Sequence, residues 1–194
     1  MLDIKNLCFF RGMQRILRNI SFTLNKGEAL LIKGANGSGK TTLLKLIAGL
    51  LEHEDGTIHW QSHRIKEHNV HYFGHSLPLD VELTGYEMLH FWLKISNHRF
   101  KKKQIEDHLS AFKINANDFI RTYSQGQKKR LFLAYYLNSS HRPIWIMDEI
   151  FTNLDQEASD ILKDAILKHL RTGGVAILST HEGIKFEGSR ELVL

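Results

Sequence analysis

Residues Glu28–Leu51 read EALLIKGANGSGKTTLLKLIAGLL, and this stretch decides the fold. Within it, Gly34, Gly39, Lys40 and Thr41 fit the pattern G-x-x-x-x-G-K-[ST], whose backbone N–H groups wrap a polyphosphate. Glycine is needed where the backbone approaches phosphate closely and takes φ values that a Cβ forbids. Gly34, Ala35, Asn36, Gly37, Ser38, Gly39, Lys40, Thr41 and Thr42 are therefore the expected cradle of a nucleoside triphosphate, ATP. Lys40 is expected to reach its β- and γ-phosphates, and the Thr41 hydroxyl to ligate Mg²⁺. The flanks agree. Glu28 to Lys33 is a short, mostly apolar run suited to a buried strand. Leu43, Leu44, Ile47, Leu50 and Leu51 fall at helical spacing, which predicts a helix over Thr42–Leu51 whose positive dipole end faces the anion.

The rest of the composition bounds the answer. A chain of 194 residues is one domain, with room for a subdomain and a substantial core. No apolar run approaches the about 18 residues that a membrane helix needs. The opening MLDIKNL carries an acid and lacks the apolar core of a signal peptide. Cys8 is the only cysteine, which excludes an internal disulfide and suits a reducing cytosol. The formal net charge is +5, with basic clusters at Lys101–Lys103 and Lys128–Arg130. These read as solvated helix faces, because no aromatic-interleaved basic stripe of a single-strand binder accompanies them. Twelve histidines raise a metal site, with His68, His71 and His75 the tightest group. Residues 68 and 71 face opposite ways on a strand, and no cysteine pattern joins them, so a metal centre is not the reading.

Along the chain, residues 1–24 are β-rich, with a turn near Gly12. Gly56–Trp60 and Asn69–Phe73 are further short strands. From Pro78 to about Ser140 the pattern turns helical: Thr84 caps one helix, residues 102–112 make a second, and Ser124 caps a third. Pro143–Met147 is an apolar strand, Gln156–Leu170 an amphipathic helix ended by Gly173-Gly174, and Val175–Ser179 and Glu191–Leu194 the last strands. The expected architecture is α/β: a P-loop NTPase core with an antiparallel β subdomain (residues 1–75 and 141–194) and a helical subdomain (76–140).

The buried strand IWIM delivers Asp148 and Glu149 to the carboxyl edge of the sheet, where open α/β sheets bind ligands. Asp148 is expected to hold Mg²⁺ through water, and Glu149 to orient and partly deprotonate the attacking water. The next strand ends in Ser179-Thr180-His181, and His181 is expected to donate to the γ-phosphate as charge shifts. Lys40, Glu149 and His181 are thus the catalytic candidates.

With those residues in view, the whole chain resembles the nucleotide-binding subunits of ATP-binding-cassette transporters. Tyr123-Ser124-Gln125-Gly126-Gln127 corresponds to the family's signature, usually LSGGQ. Thr152-Asn153-Leu154-Asp155 corresponds to its D-loop, usually SALD, and His181 to its switch histidine. The resemblance implies a head-to-tail homodimer or paired cassette, with ATP between one phosphate loop and the other chain's Ser124, Gln125, Gly126 and Gln127. Within the family the chain is similar to the CcmA type, which serves haem handling in cytochrome c maturation. That likeness rests on FGHSLPLDVELTGYEMLHF, where His75 takes the place of the Q-loop glutamine, and on Arg11 at the position of the adenine-stacking aromatic. It implies integral membrane subunits of CcmB/CcmC type, an indirect link to haem, and a peripheral position on the cytoplasmic face of the bacterial inner membrane. No nucleic-acid partner is expected.

The departures carry their own expectations. Gln125 adds a side chain where the signature has glycine. Ile150 replaces the proline after Asp-Glu, which implies a looser turn at Glu149. Arg11 in place of an aromatic implies weak discrimination between ATP and GTP. His75 beside the metal implies that hydrolysis falls below neutral pH. Leu77, Leu79, Met88, Phe91 and Trp92 are candidates for a groove that receives a membrane subunit. Two other readings stay open at this point: a cassette of another transporter, or a soluble cassette acting on nucleic acid or ribosomes. A small-molecule P-loop kinase would lack the signature and the switch histidine together.

Overall fold

A computed structural model describes residues 1–53, 55–74, 78–96, 98–139, 142–180, 186 and 188–194. The chain divides into two units: Met1–His75 with Arg142–Ile150 and Ile166–Leu194, and Ser76–His141 with Phe151–Ala165.

The first unit holds two sheets. Strands β1 (Leu2–Arg11) and β2 (Gln14–Leu24) form a hairpin around Gly12-Met13, with β4 (Asp55–Trp60) pairing β1 antiparallel and the short β5 (His63–Arg64) beyond it. The second sheet is parallel, in the order β6 (Val70–Phe73), β7 (Ile144–Asp148), β8 (Val175–Ser179), β3 (Ala29–Lys33), β9 (Arg190–Val193). Strands β7 and β8 are buried along their whole length, as their unbroken apolar runs require. Helix α1 (Lys40–Ile47) sits in the core of this unit. Leu43, Leu44, Leu46 and Ile47 share one apolar cluster with Leu2, Ile4 and Ile58 of the antiparallel sheet and Ile32, Ile146 and Ile177 of the parallel one. Burying one such aliphatic side chain is worth about 1.5–3 kcal/mol, so this cluster fixes where the loop before α1 sits.

Helix α1 is shorter than its apolar spacing implied. Gly49, at φ 73, takes the left-handed conformation that ends it. Its N–H donates to Leu46 O (3.1 Å) and that of Leu50 to Lys45 O (2.9 Å). Leu50 therefore leaves the helix and is 57% exposed.

The second unit is helical: α2 (Gly85–Ile95), α3 (Lys102–Ala111) and α4 (Gln125–Ser139), followed after β7 by the start of α5 (Gln156–Arg171). Thr84 and Glu87 cap α2 reciprocally, Thr84 N–H to Glu87 Oε2 at 2.8 Å and Glu87 N–H to Thr84 Oγ1 at 3.3 Å. Trp92 packs with its ring centroid 5.3 Å from Phe132, edge-on, and 5.2 Å from Tyr135. The groove candidates therefore separate. Met88 and Trp92 are core, Phe91 is 51% exposed, and Leu77 lies outside the described residues. No helix among the described residues is long and apolar enough to cross a membrane.

Candidate functional site

The loop Gly34–Gly39 leaves the carboxyl end of β3 and runs into α1, whose first hydrogen bond is Leu43 N–H to Gly39 O at 2.8 Å. Gly39 stands at φ 103, and a Cβ there would meet Leu17 Cδ2 at 2.9 Å and Ile16 Cγ2 at 3.1 Å. Backbone conformation and the β2 wall thus both demand glycine. Ala35, Asn36 and Gly37 are exposed, while Lys40 is buried. The Lys40 ammonium donates to Gly34 O at 2.9 Å and Ala35 O at 3.0 Å, so the cation is folded over the mouth of its own loop. A Cβ at Gly34 would fall 2.6 Å from Ser38 Oγ, a buried hydroxyl without a partner among the described residues. Exposed N–H groups, a seated cation and a spare hydroxyl form a cradle for an anion.

A cavity of ≈ 570 Å³ opens over this loop. Gly37, Gly39, Lys40, Thr41, Thr42 and Lys45 line one part of it, Arg11 and Ile16 another, and Glu149 also reaches it. Phe10, beside Arg11, is covered by Arg15, whose guanidinium carbon lies 4.9 Å from the ring centroid.

The acidic pair sits where the parallel sheet ends. Asp148 is 1% exposed. Ser179, paired with it across β7 and β8, donates its hydroxyl to Asp148 Oδ1 at 2.6 Å. Ser179 Oγ in turn accepts the Glu149 N–H at 2.9 Å. One hydroxyl therefore holds both acidic residues. The other carboxylate oxygen, Asp148 Oδ2, is buried and has no partner among the described residues, which suits a group that a cation or its water would engage. Tyr72 lies near. Burial, and then the Asp148 charge, push its phenol up to about 12, so it stays protonated. Glu149 takes φ 52, a left-handed conformation costing a non-glycine residue of order 1–3 kcal/mol. Ile150 next to it is fully buried. Sequence reasoning assigned no role to Ser179 or Tyr72. The signal for Ser179 was one hydroxyl at the end of the otherwise apolar strand VAILS.

In the helical unit, Ser124 and Gln127 cap α4 reciprocally: Ser124 N–H donates to Gln127 Oε1 at 2.8 Å, and Gln127 N–H to Ser124 Oγ at 3.1 Å. Both are thereby engaged within the chain, and the first-turn N–H groups of Gln125 and Gly126 are those aligned for an anion. Asp155 is not an open loop carboxylate. Arg130 donates to its Oδ2, Ala158 N–H donates to its Oδ1 at 2.9 Å, and these bonds hold its pKa below the ordinary value. His75 and His181 lie outside the described residues.

A model of the ABC transporter family matches residues 17–152. The chain is 35% identical over 190 residues to the cytochrome c biogenesis ATP-binding export protein CcmA of Vibrio cholerae, covering 94% of this chain and 91% of that one. The protein of the same name from Dechloromonas aromatica is 35% identical over 204 residues, 100% of both chains. That of Roseobacter denitrificans is 39% identical over 181 residues, 92% of this chain and 83% of the relative. Among solved structures, the fold superposes on a putative ABC transporter ATP-binding protein from Pyrococcus furiosus with a TM-score of 0.82, at 23% identity, over 98% of this chain and 96% of the other. The phosphate-binding loop, the acidic strand end and a likeness that runs the length of the chain agree, and this protein belongs to the ABC transporter family, as a nucleotide-binding cassette similar to CcmA.

Proposed function

We propose that this cassette hydrolyses ATP for a CcmAB-type haem exporter in cytochrome c maturation, docked peripherally on membrane subunits of CcmB/CcmC type. The observation that carries the ATPase part is the cavity in which the Gly37–Thr42 backbone, Lys40 and Glu149 meet at one sheet edge. The assignment to haem rests on the end-to-end likeness to CcmA proteins.

Each residue then has a task. The loop N–H groups and the Lys40 ammonium hold the β- and γ-phosphates, which needs only that Lys40 swing from the Gly34 and Ala35 carbonyls to phosphate oxygen. Thr41 and Asp148 would hold Mg²⁺, whose charge offsets that of the phosphates. Asp148 Oδ2 is the spare oxygen for it, because Ser179 already occupies Oδ1. Glu149 accepts a proton from the attacking water as oxygen bonds to the γ-phosphorus and the bond to the β-phosphate oxygen breaks. His181 donates to the γ-phosphate, and His75 stands at the Q-loop. Ser124, Gln125, Gly126 and Gln127 of one cassette close on ATP held by its partner, with Gln125 and Gly126 N–H as donors. Arg11 and Ile16 face the base.

The test is capture of tagged Glu149→Gln protein, held with ATP, from detergent-solubilised membranes of the source cell. Mass spectrometry should find small integral-membrane subunits, and the eluate should carry haem absorbance. Membrane partners without haem would leave the engine and change the cargo. A soluble or ribosomal set would overturn the transporter reading.

A further inference from the structure

The loop Thr152–Asp155 follows the Asp148-Glu149 strand end in sequence, yet its side-chain bonds run to the signature helix. Lys129, just over one turn into α4, donates its ammonium to the carbonyl oxygen of Thr152. Arg130, next to it, is 7% exposed. Its Nε donates to Asp155 Oδ2 at 3.2 Å, its Nη2 to the same oxygen and to Glu157 Oε2 at 3.3 Å, and its Nη1 to Phe112 O at 3.1 Å. Burial works against the Arg130 charge, but the two carboxylates outweigh it and its pKa is raised. Asp155 in turn caps α5 through Ala158 N–H, and Glu157 pairs with Lys113 at 2.5 Å. Between the two anchored ends, Asn153 takes φ 60 and is exposed. A Cβ on Gly126 would lie 3.5 Å from Asn153 O, so signature backbone and loop backbone are neighbours.

We propose that Lys129 is a positioning residue: it makes the Thr152–Asp155 loop follow the signature helix, so nucleotide engaged by one chain's Gln125 and Gly126 sets that chain's loop. The inference rests on the head-to-tail reading above. Arg130 fastens the far end of the loop to α4 and α5, and Lys129 fastens the near end, at a carbonyl that a neutral side chain of the same length would not hold. The apex, Asn153, is left facing solvent as the part of the loop offered to a partner. Movement of the loop reaches Glu149 along the chain through Ile150 and Phe151, the two residues between Glu149 and Thr152. Misplacing a catalytic group by about 1 Å can cost a hundredfold in rate.

The test uses the full chain carrying Lys129→Met, Lys129→Arg or neither, each with and without Glu149→Gln. ATP binding is titrated with a fluorescent ATP analogue, ATP-driven dimerisation of the Glu149→Gln forms by analytical ultracentrifugation, and turnover in the forms that keep Glu149. Lys129→Met should leave nucleotide affinity within about twofold, raise the ATP needed for half-dimerisation about tenfold or more, and lower kcat by about ten- to a hundredfold. Lys129→Arg, which keeps the charge and the donor, should restore both. Unchanged dimerisation and turnover in Lys129→Met overturn the inference alone. So does a parallel fall of affinity, melting temperature and dimerisation, which marks plain destabilisation. If the Glu149→Gln parent does not dimerise with ATP, the head-to-tail reading fails and takes this inference with it.

Discussion

Ser179→Ala removes a hydroxyl that serves two acidic residues. The wild-type oxygen donates to Asp148 Oδ1 at 2.6 Å and accepts Glu149 N–H at 2.9 Å, with Ser179 and Asp148 each 1% exposed. A hydrogen bond to a charged group contributes about 1.5–3 kcal/mol and a neutral one about 0.5–1.5. The loss is therefore about 2–4 kcal/mol, and burial keeps bulk water from replacing it. In a domain of this size each kcal/mol moves the melting temperature by about 2–4 °C, so a fall of about 5–15 °C is expected. The functional effect is separate. Asp148 loses the partner that orients it, and the loss of such an orienting bond lowers metal affinity about 10- to 100-fold. Thermal melts and a Mg²⁺ titration of ATP turnover read the two effects. The Mg²⁺ midpoint should rise while the ATP analogue still binds without metal, and adding Asp148→Asn should abolish the further effect of Ser179→Ala. A variant that melts within 2 °C of the parent and keeps its Mg²⁺ midpoint refutes the reasoning.

Three further outcomes follow from other parts of the molecule. Gly39→Ala should abolish binding of the ATP analogue, since a Cβ meets Leu17 at 2.9 Å at a residue held at φ 103; retained binding in a titration would show that the loop can re-form. Gly174→Ala should cost about 1–3 kcal/mol by overpacking, a fall of roughly 2–12 °C in melting temperature. Its Cβ would come within 2.2 Å of the His169 ring, which cannot retreat because Trp145 stacks on it at 4.1 Å; the cost should vanish in a His169→Ala background. His71 is held neutral, its pKa lowered to about 3 by burial, then by Arg142 and His169. The unfolded chain binds that proton near pH 6.5, so stability is lost as pH falls from about 6.5 toward 3, by about 2 kcal/mol at pH 5 for this one group. Denaturant melts of His71→Asn should show a correspondingly shallower acid limb; an identical limb would rule His71 out as its source.

Sequence alone determined the parts whose physics is local. A glycine loop between an apolar run and a helix leaves few conformations other than a phosphate cradle, and the observed loop joins β3 to α1. Thr84 and Ser124 were legible as caps, because a hydroxyl three residues before a Glu or Gln satisfies helix-end donors whatever lies around it. Gly173-Gly174 was legible as the end of α5: the Gly174 N–H closes on His169 O at 3.0 Å and the Gly173 N–H on Leu170 O at 2.9 Å. Periodicity could not place the end of α1, since Leu50 and Leu51 keep the spacing while Gly49 breaks the backbone. Nor could it separate Met88 and Trp92, which are core, from Phe91, which is exposed, because helical spacing names a face without saying how far packing extends across it.

What only the tertiary structure decided are the bonds between residues distant in the chain. Ser179 meets Asp148 across 31 positions because β7 and β8 are parallel neighbours in register, and no local pattern encodes that pairing. Lys129 and Arg130 read as part of a basic cluster on a solvated face; packing turns them onto Thr152 and Asp155, and an apparent surface charge becomes a buried anchor. The chemistry of a phosphate cradle is short-range and survives in sequence. The orientation of the acids beside it depends on strand register and helix packing, which exist only once the chain has folded.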